Sequence, residues 1–239
     1  MNGMKRFTYI IWMIVLSILL VLTIPYLWYI MKVIFIPKHE GFWGQEKIYT
    51  WIFVGILVSL FLRMLIRSKS SFLETFSHES THALVAFLFG RRVHSLHVED
   101  SGSGMIFTSG NNNYSLIPVA LAPYCLPIFT FFLLAFRCIV GEHFLWICDL
   151  CIGMTLCFHY YCFKTQIGNH QTDINQYPLS FSYFYILTAW IINICIILVA
   201  FFPNMNEKKD IMGYGVFSSV MRLGVEWWNN LLLYIHWFQ

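Results

Sequence analysis

Residues 72–89 read Phe-Leu-Glu-Thr-Phe-Ser-His-Glu-Ser-Thr-His-Ala-Leu-Val-Ala-Phe-Leu-Phe, an apolar run interrupted by Glu74, His78, Glu79 and His82 and followed by Gly90. A helix brings residues i and i+4 to one face. His78 and His82 can therefore offer two imidazole nitrogens to one metal ion, while Glu79 leans toward the water that such an ion holds. Four polar side chains are costly toward lipid, so they must face a protein interior or a wet cavity. H-E-x-x-H also occurs by chance, and a polar helix face can be a mere hydrogen-bonded patch. Two histidines and two glutamates within nine residues of an apolar helix make that reading expensive in a bilayer. Zinc chemistry within a membrane is the expectation.

Composition supports the membrane half independently. The 239 residues are 58% hydrophobic, 19% aromatic and only 11% charged, against roughly 25% charged residues in ordinary soluble domains. Spans of about 20 residues consume most of this length, leaving room for one integral membrane domain over residues 1–239 and no sizeable domain outside it. The net charge of +3 comes from lysines and arginines scattered in short connections, which argues against nucleic acid as a partner. Seven cysteines lie in or beside apolar segments, where a small side chain packs well between helices, so free thiols are expected. Cys148 and Cys151 form a C-x-x-C without the second pair that a structural metal site needs.

Along the chain, apolar runs at about 7–35 and 48–66 give two spans within residues 1–69, and the run at 72–89 carries the motif. Gly90 suits the left-handed conformation that stops a helix. After it, Val93, Leu96 and Val98, a Glu99–Gly104 turn and Met105–Thr108 predict a β-hairpin. A fourth span over about 116–136 is interrupted by Pro118, Pro123 and Pro127, which should break it. A fifth covers about 144–163 and a sixth about 177–202. Residues 212–238 place Ser218, Arg222, Glu226, Asn229 and Asn230 in one polar stripe, which suits an interfacial amphipathic helix within 203–239; a seventh span is the alternative. The fold class expected is an all-α polytopic membrane protein of six spans, or seven, with a small hairpin after the motif helix.

A catalytic zinc usually takes three protein ligands, so one remains to be found. Asp173, just before the sixth span, leads. Asp149 and His159 on the fifth span compete with it, although each has a plain reading as a packed or hydrogen-bonded helix residue. His94 and His97, three apart on a strand, point to opposite faces and are expected to be solvated. Trp and Tyr near span ends read as interfacial anchors.

The motif in a membrane helix, the hairpin behind it, the proline-bearing Leu121-Ala122-Pro123-Tyr124 and a distant Asp at the head of a later span together resemble the intramembrane site-2 proteases, specifically short members without a PDZ or CBS domain. The likeness covers roughly residues 70–200 and makes 70–202 the metalloprotease core. It implies a zinc ion held by His78, His82 and Asp173, with Glu79 as general base. In that family the third ligand sits in a motif of the Asn-Pro-Asp-Gly kind; here Asp173 has neither the preceding Asn-Pro nor the following Gly. The resemblance further implies that a peptide bond in or near a transmembrane segment is cut. The substrate is then a membrane protein or peptide, unwound and added to the hairpin edge at Met105–Thr108. A neutral donor for the oxyanion could come from Asn169, His170, Asn175 or His159. The lipid bilayer is the surroundings, and the location is a multi-pass membrane protein, in the inner membrane if the source is bacterial.

Three rivals remain at this level: a catalytically silent scaffold that binds client helices, a transporter, and a zinc hydrolase acting on a lipid or small amide. An intact Glu79 weighs against the scaffold, and the lack of paired broken helices in two halves against the transporter.

Overall fold

The computed structural model describes residues 3–35, 42–65, 71–99, 103–110, 116–168 and 171–200. Two compact units are distinguished: residues 1–45 with 191–239, and residues 46–190. The first contains α1 (Gly3–Phe35), whose stretch Phe7–Trp28 is long and apolar enough to cross a membrane. The expected amphipathic helix at 212–238 lies outside the described residues.

The second unit carries the motif. After α2 (Phe42–Leu65) comes α3 (Ser71–Leu88), which holds His78, Glu79 and His82. Its end is sharply defined. Gly90 adopts φ 71°, its N–H donates to Phe87 O at 2.9 Å, and the Arg91 N–H donates to Ala86 O at 2.9 Å. These paired bonds satisfy two carbonyls that the helix would leave open, and a residue with no Cβ reaches the left-handed geometry without a clash. The chain therefore turns straight into β1 (Arg92–Val98), which pairs antiparallel with β2 (Gly104–Ser109) in the register Leu96↔Ile106 and Val98↔Gly104. Glu99 N–H donates to Ser103 O, and the Ser103 hydroxyl donates to the Glu99 carboxylate, closing the turn.

The proline-bearing span is broken as its composition demands. Helix α4 (Leu116–Leu121) passes into a 3-10 turn at Ala122–Tyr124, and α5 (Ile128–Arg137) leaves at 82° to it. Pro123 and Pro127 lack the N–H that would continue the ladder. The freed groups are met locally, Cys125 and Leu126 N–H both donating to Ala122 O. Leu121 and Tyr124 are fully buried at the break. Val85 and Ala86 of α3 form a core cluster with Val119 and Ala122, which locks the break against the motif helix.

Helix α6 (Leu145–Gln166) crosses α2 at backbone contact: a Cβ on Gly153 would lie 2.0 Å from Ile52 O, and one on Gly55 would lie 2.0 Å from Leu150 O. Glycine on both sides is what permits so close a crossing. A short helix, α7 (Thr172–Asn175), and then α8 (Leu179–Ala200) complete the described chain.

The helices fall where the apolar runs place them, but among the described residues three or four qualify as spans, so the six or seven expected are not confirmed. Phe7–Trp28, Leu145–Gln166 and Leu179–Ala200 are long and apolar enough, and the bent pair of α4 and α5 counts as a fourth if it is one span. The apolar part of α2, Tyr49–Leu65, is shorter than a full crossing. The motif helix α3 is diluted by Glu74, His78, Glu79 and His82, the side chains that make it interesting.

Candidate metal centre

The geometry of the centre begins with the tautomers of two histidines. His82 Nδ1 donates to the Val119 carbonyl at 2.6 Å, an acceptor exposed for this purpose by the broken α4 region. His78 Nδ1 lies 3.0 Å from Gln166 Oε1. The Gln166 amide is oriented by its NH2 group, which donates to Glu74 O at 3.4 Å, so its oxygen faces His78 as acceptor. Both rings thus carry their proton on Nδ1 and turn the Nε2 lone pair inward, the arrangement in which a metal-ligating histidine is held by an outer hydrogen bond.

Both Nε2 atoms converge on one carboxylate oxygen. Asp173 Oδ2 is 3.4 Å from His78 Nε2 and 3.3 Å from His82 Nε2, and the three candidate ligand atoms lie within 4.8 Å of one another. Atoms about 2.0–2.1 Å from a tetrahedral zinc are separated from each other by about 3.3 Å, so both nitrogen–oxygen edges fit such an ion. The chemistry of the set fits as well: two neutral imidazoles and one carboxylate leave a coordination position open. As a ligand the Asp173 carboxylate must be ionised, and its place between the two imidazoles favours that form over the neutral one that burial alone would favour.

Tertiary contacts bring Asp173 here, since it stands 91 residues from His82 in sequence. It sits on α7, whose Ile174 is fully buried and whose Ile174 carbonyl accepts from the Ser182 hydroxyl of α8 at 3.1 Å. Glu79 is 8% exposed and faces the same cavity of about 650 Å³, alongside His78, His82, Asp173 and the β2 residues Gly104–Ile106. The hairpin approaches this carboxylate closely. A Cβ on Gly104 would meet Glu79 Cγ and Thr75 Cγ2 at 2.6 Å and Glu79 Oε1 at 2.9 Å, so any side chain there would have to displace them. At the cavity margin, Glu74 accepts two bonds from Arg63 at 3.2 Å and one from the Thr165 hydroxyl at 3.4 Å. Arg63 also stacks over Tyr161, tying α2, α3 and α6 together.

The competing ligands lie elsewhere. Asp149, 2% exposed, accepts from Arg137 Nε at 2.6 Å. His159 packs on Trp190 with ring centres 5.1 Å apart, and its buried Nε2 has no hydrogen-bond partner. Neither meets the two histidines. His94 and His97 are exposed on β1, and His94 bonds the Ser109 hydroxyl. Of the residues considered for the oxyanion, Asn169 and His170 fall outside the described residues, and Asn175 is exposed on α7. Sequence reasoning did not find Gln166 or the Val119 carbonyl. A glutamine at the polar end of an apolar helix was a weak signal for the first, and a backbone carbonyl leaves no sequence signal at all.

A family model described as Peptidase M50B-like matches residues 48–164, taking in His78, Glu79 and His82 and stopping short of Asp173. Searches of curated proteins and of solved structures return no match.

Proposed function

We propose that the chain, whose residues 48–164 match a Peptidase M50B-like family model consistent with the site-2 protease family, is a zinc-dependent intramembrane endopeptidase. The observation that carries the reading is the convergence of His78 Nε2, His82 Nε2 and Asp173 Oδ2 beside Glu79. His78, His82 and Asp173 would hold the metal. When bound, zinc supplies a Lewis acid for the peptide carbonyl and a water acidified to about neutrality.

The remaining steps belong to the chain. Glu79 takes the proton of the attacking water and returns it to the leaving amide nitrogen, acting in turn as general base and general acid. Glu79 lies against Gly104, which supports an exchange that runs beside strand β2. A transmembrane helix hides its amides in its own hydrogen bonds and must unwind before one can be cut. Among the described residues, β2 pairs only with β1, so its other edge is open to a third strand. Gly104–Ile106 line the cavity, and a peptide added along this edge runs past Glu79. The substrate is then a membrane protein or a membrane-held remnant of one, cleaved where its helix is extended. The apolar spans hold the enzyme in the same bilayer.

The test is metal content and cleavage in parallel, on detergent-purified wild type, His78→Ala, Asp173→Ala and Glu79→Gln. One zinc per chain in wild type and Glu79→Gln, lost in His78→Ala and well below one per chain in Asp173→Ala, with peptide cleavage confined to wild type, is the expected pattern. Wild type purified without chelators and free of metal would sink the reading and bring the scaffold forward.

A further inference from the structure

Tyr124 occupies the last position of the 3-10 turn where the proline-bearing span breaks, and it is 0% exposed. Its ring meets His78 edge-on, with centres 5.3 Å apart at 82°. Its backbone carbonyl accepts from Trp190 Nε1 at 2.9 Å, and Trp190 in turn packs against His159 and Phe163. The residue is therefore held from two sides, by α3 and by α8. The hydroxyl is shut off from solvent and has no well-formed hydrogen bond, yet it lies within bonding reach of the Asp173 carboxylate and feels the charge of Glu79. A buried donor without a partner is rare, because hydration is lost with nothing in return.

The missing partner is close by. Asp173 turns Oδ2 toward both imidazoles, and a carboxylate that binds a metal through one oxygen leaves the other to accept a hydrogen bond. Such outer bonds fix the orientation of the ligand. Resting on the metal reading above, we propose that Tyr124 is a positioning residue of the centre: its hydroxyl donates to Asp173 once a metal is bound and holds that carboxylate in its ligating orientation. A phenol suits the task because it is a neutral donor and leaves the charge of the ligand intact. The hydroxyl is not part of the cavity wall, so it acts through Asp173 and not on substrate. The proposal also accounts for the broken span, since an unbroken helix would not present Tyr124 at this corner and Val119 O to His82 together.

Tyr124→Phe keeps the ring and removes only the hydroxyl. The full chain in detergent is titrated with zinc(II) against a chromophoric chelator, and the melting temperature of the metal-free protein is measured alongside, with His78→Ala as the control that lacks a ligand. Expected is zinc affinity lowered by about 10-fold or more, with the metal-free melting temperature unchanged or raised, because an unpaired buried hydroxyl has been removed. Zinc affinity equal to wild type overturns the proposal, and so does an affinity loss matched by a drop in metal-free stability, which would make Tyr124 a packing residue. Wild type that takes up no zinc fails the metallopeptidase reading itself and takes this inference with it; wild type that binds zinc while Tyr124→Phe binds it equally fails the inference alone.

Discussion

Helix α3 and the short helix α7 supply the same centre by different physical means. On α3 the spacing of His78 and His82 is set by the helix itself, and each ring is then oriented by one acceptor from a neighbour, Gln166 Oε1 or Val119 O. Asp173 arrives on four residues of helix, anchored by the burial of Ile174 and the bond from Ser182. The first arrangement is local and preformed, whereas the second depends on α7 being docked. The difference teaches that the histidine pair should retain metal affinity of its own when α7 is disturbed, and that α7 should not when the pair is broken.

The comparison breaks most visibly at the ligands. His82→Ala is expected to abolish zinc binding, beyond the roughly 100-fold that loss of an outer partner costs at most. Asp173→Ala should leave weak residual binding by the helical pair; both are read by chelator competition. Affinity in Asp173→Ala equal to wild type would remove Asp173 from the ligand set. Gly104→Ala tests the base separately from the metal, because the added methyl presses on Glu79 at 2.6 Å. Cleavage should fall by about 100-fold, the lower range for loss of a positioned base, while zinc content stays at wild type. A variant that cleaves normally would show that the strand yields without moving Glu79.

Smaller effects sharpen the contrast between the two anchorages. Gln166→Ala removes the acceptor that holds His78, and zinc affinity should drop by about 10-fold; no change would mean that packing against Tyr124 and His82 suffices to orient the ring. Ser182→Ala removes one hydrogen bond beneath α7. It should cost about 1 kcal/mol of stability, seen as a lowered melting temperature, with metal affinity reduced by a few-fold at most. An effect on zinc larger than that of Gln166→Ala would invert the comparison and make the docking of α7 the controlling feature.

Much of this centre is legible in the chain because its cause is local. H-E-x-x-H on an apolar run dictates a helix with two imidazoles on one face, Gly90 dictates its stop, and Pro123 with Pro127 dictates the break. The hairpin follows from strand-forming residues around a glycine-rich turn. The number of spans is less legible, since polar side chains such as Glu74, His78, Glu79 and His82 dilute the hydropathy of α3. The choice among Asp173, Asp149 and His159 was likewise open, because all three are plausible ligands until it is known which neighbours they meet. Asp149 is spent on Arg137 and His159 on Trp190, contacts between residues 12 and 31 positions apart that no periodicity encodes.

The sequence by itself determined the helical membrane character, the histidine pair with its glutamate, and the turn chemistry around them, since each arises from residues within a few positions of one another. Only the tertiary structure decided that Asp173 completes the cluster, that Gln166 and Val119 O set the tautomers, and that Tyr124 lies buried against His78. Those depend on α3, α6, α7 and the broken α4 region meeting at one point, and long-range packing fixes distances that local propensity leaves free.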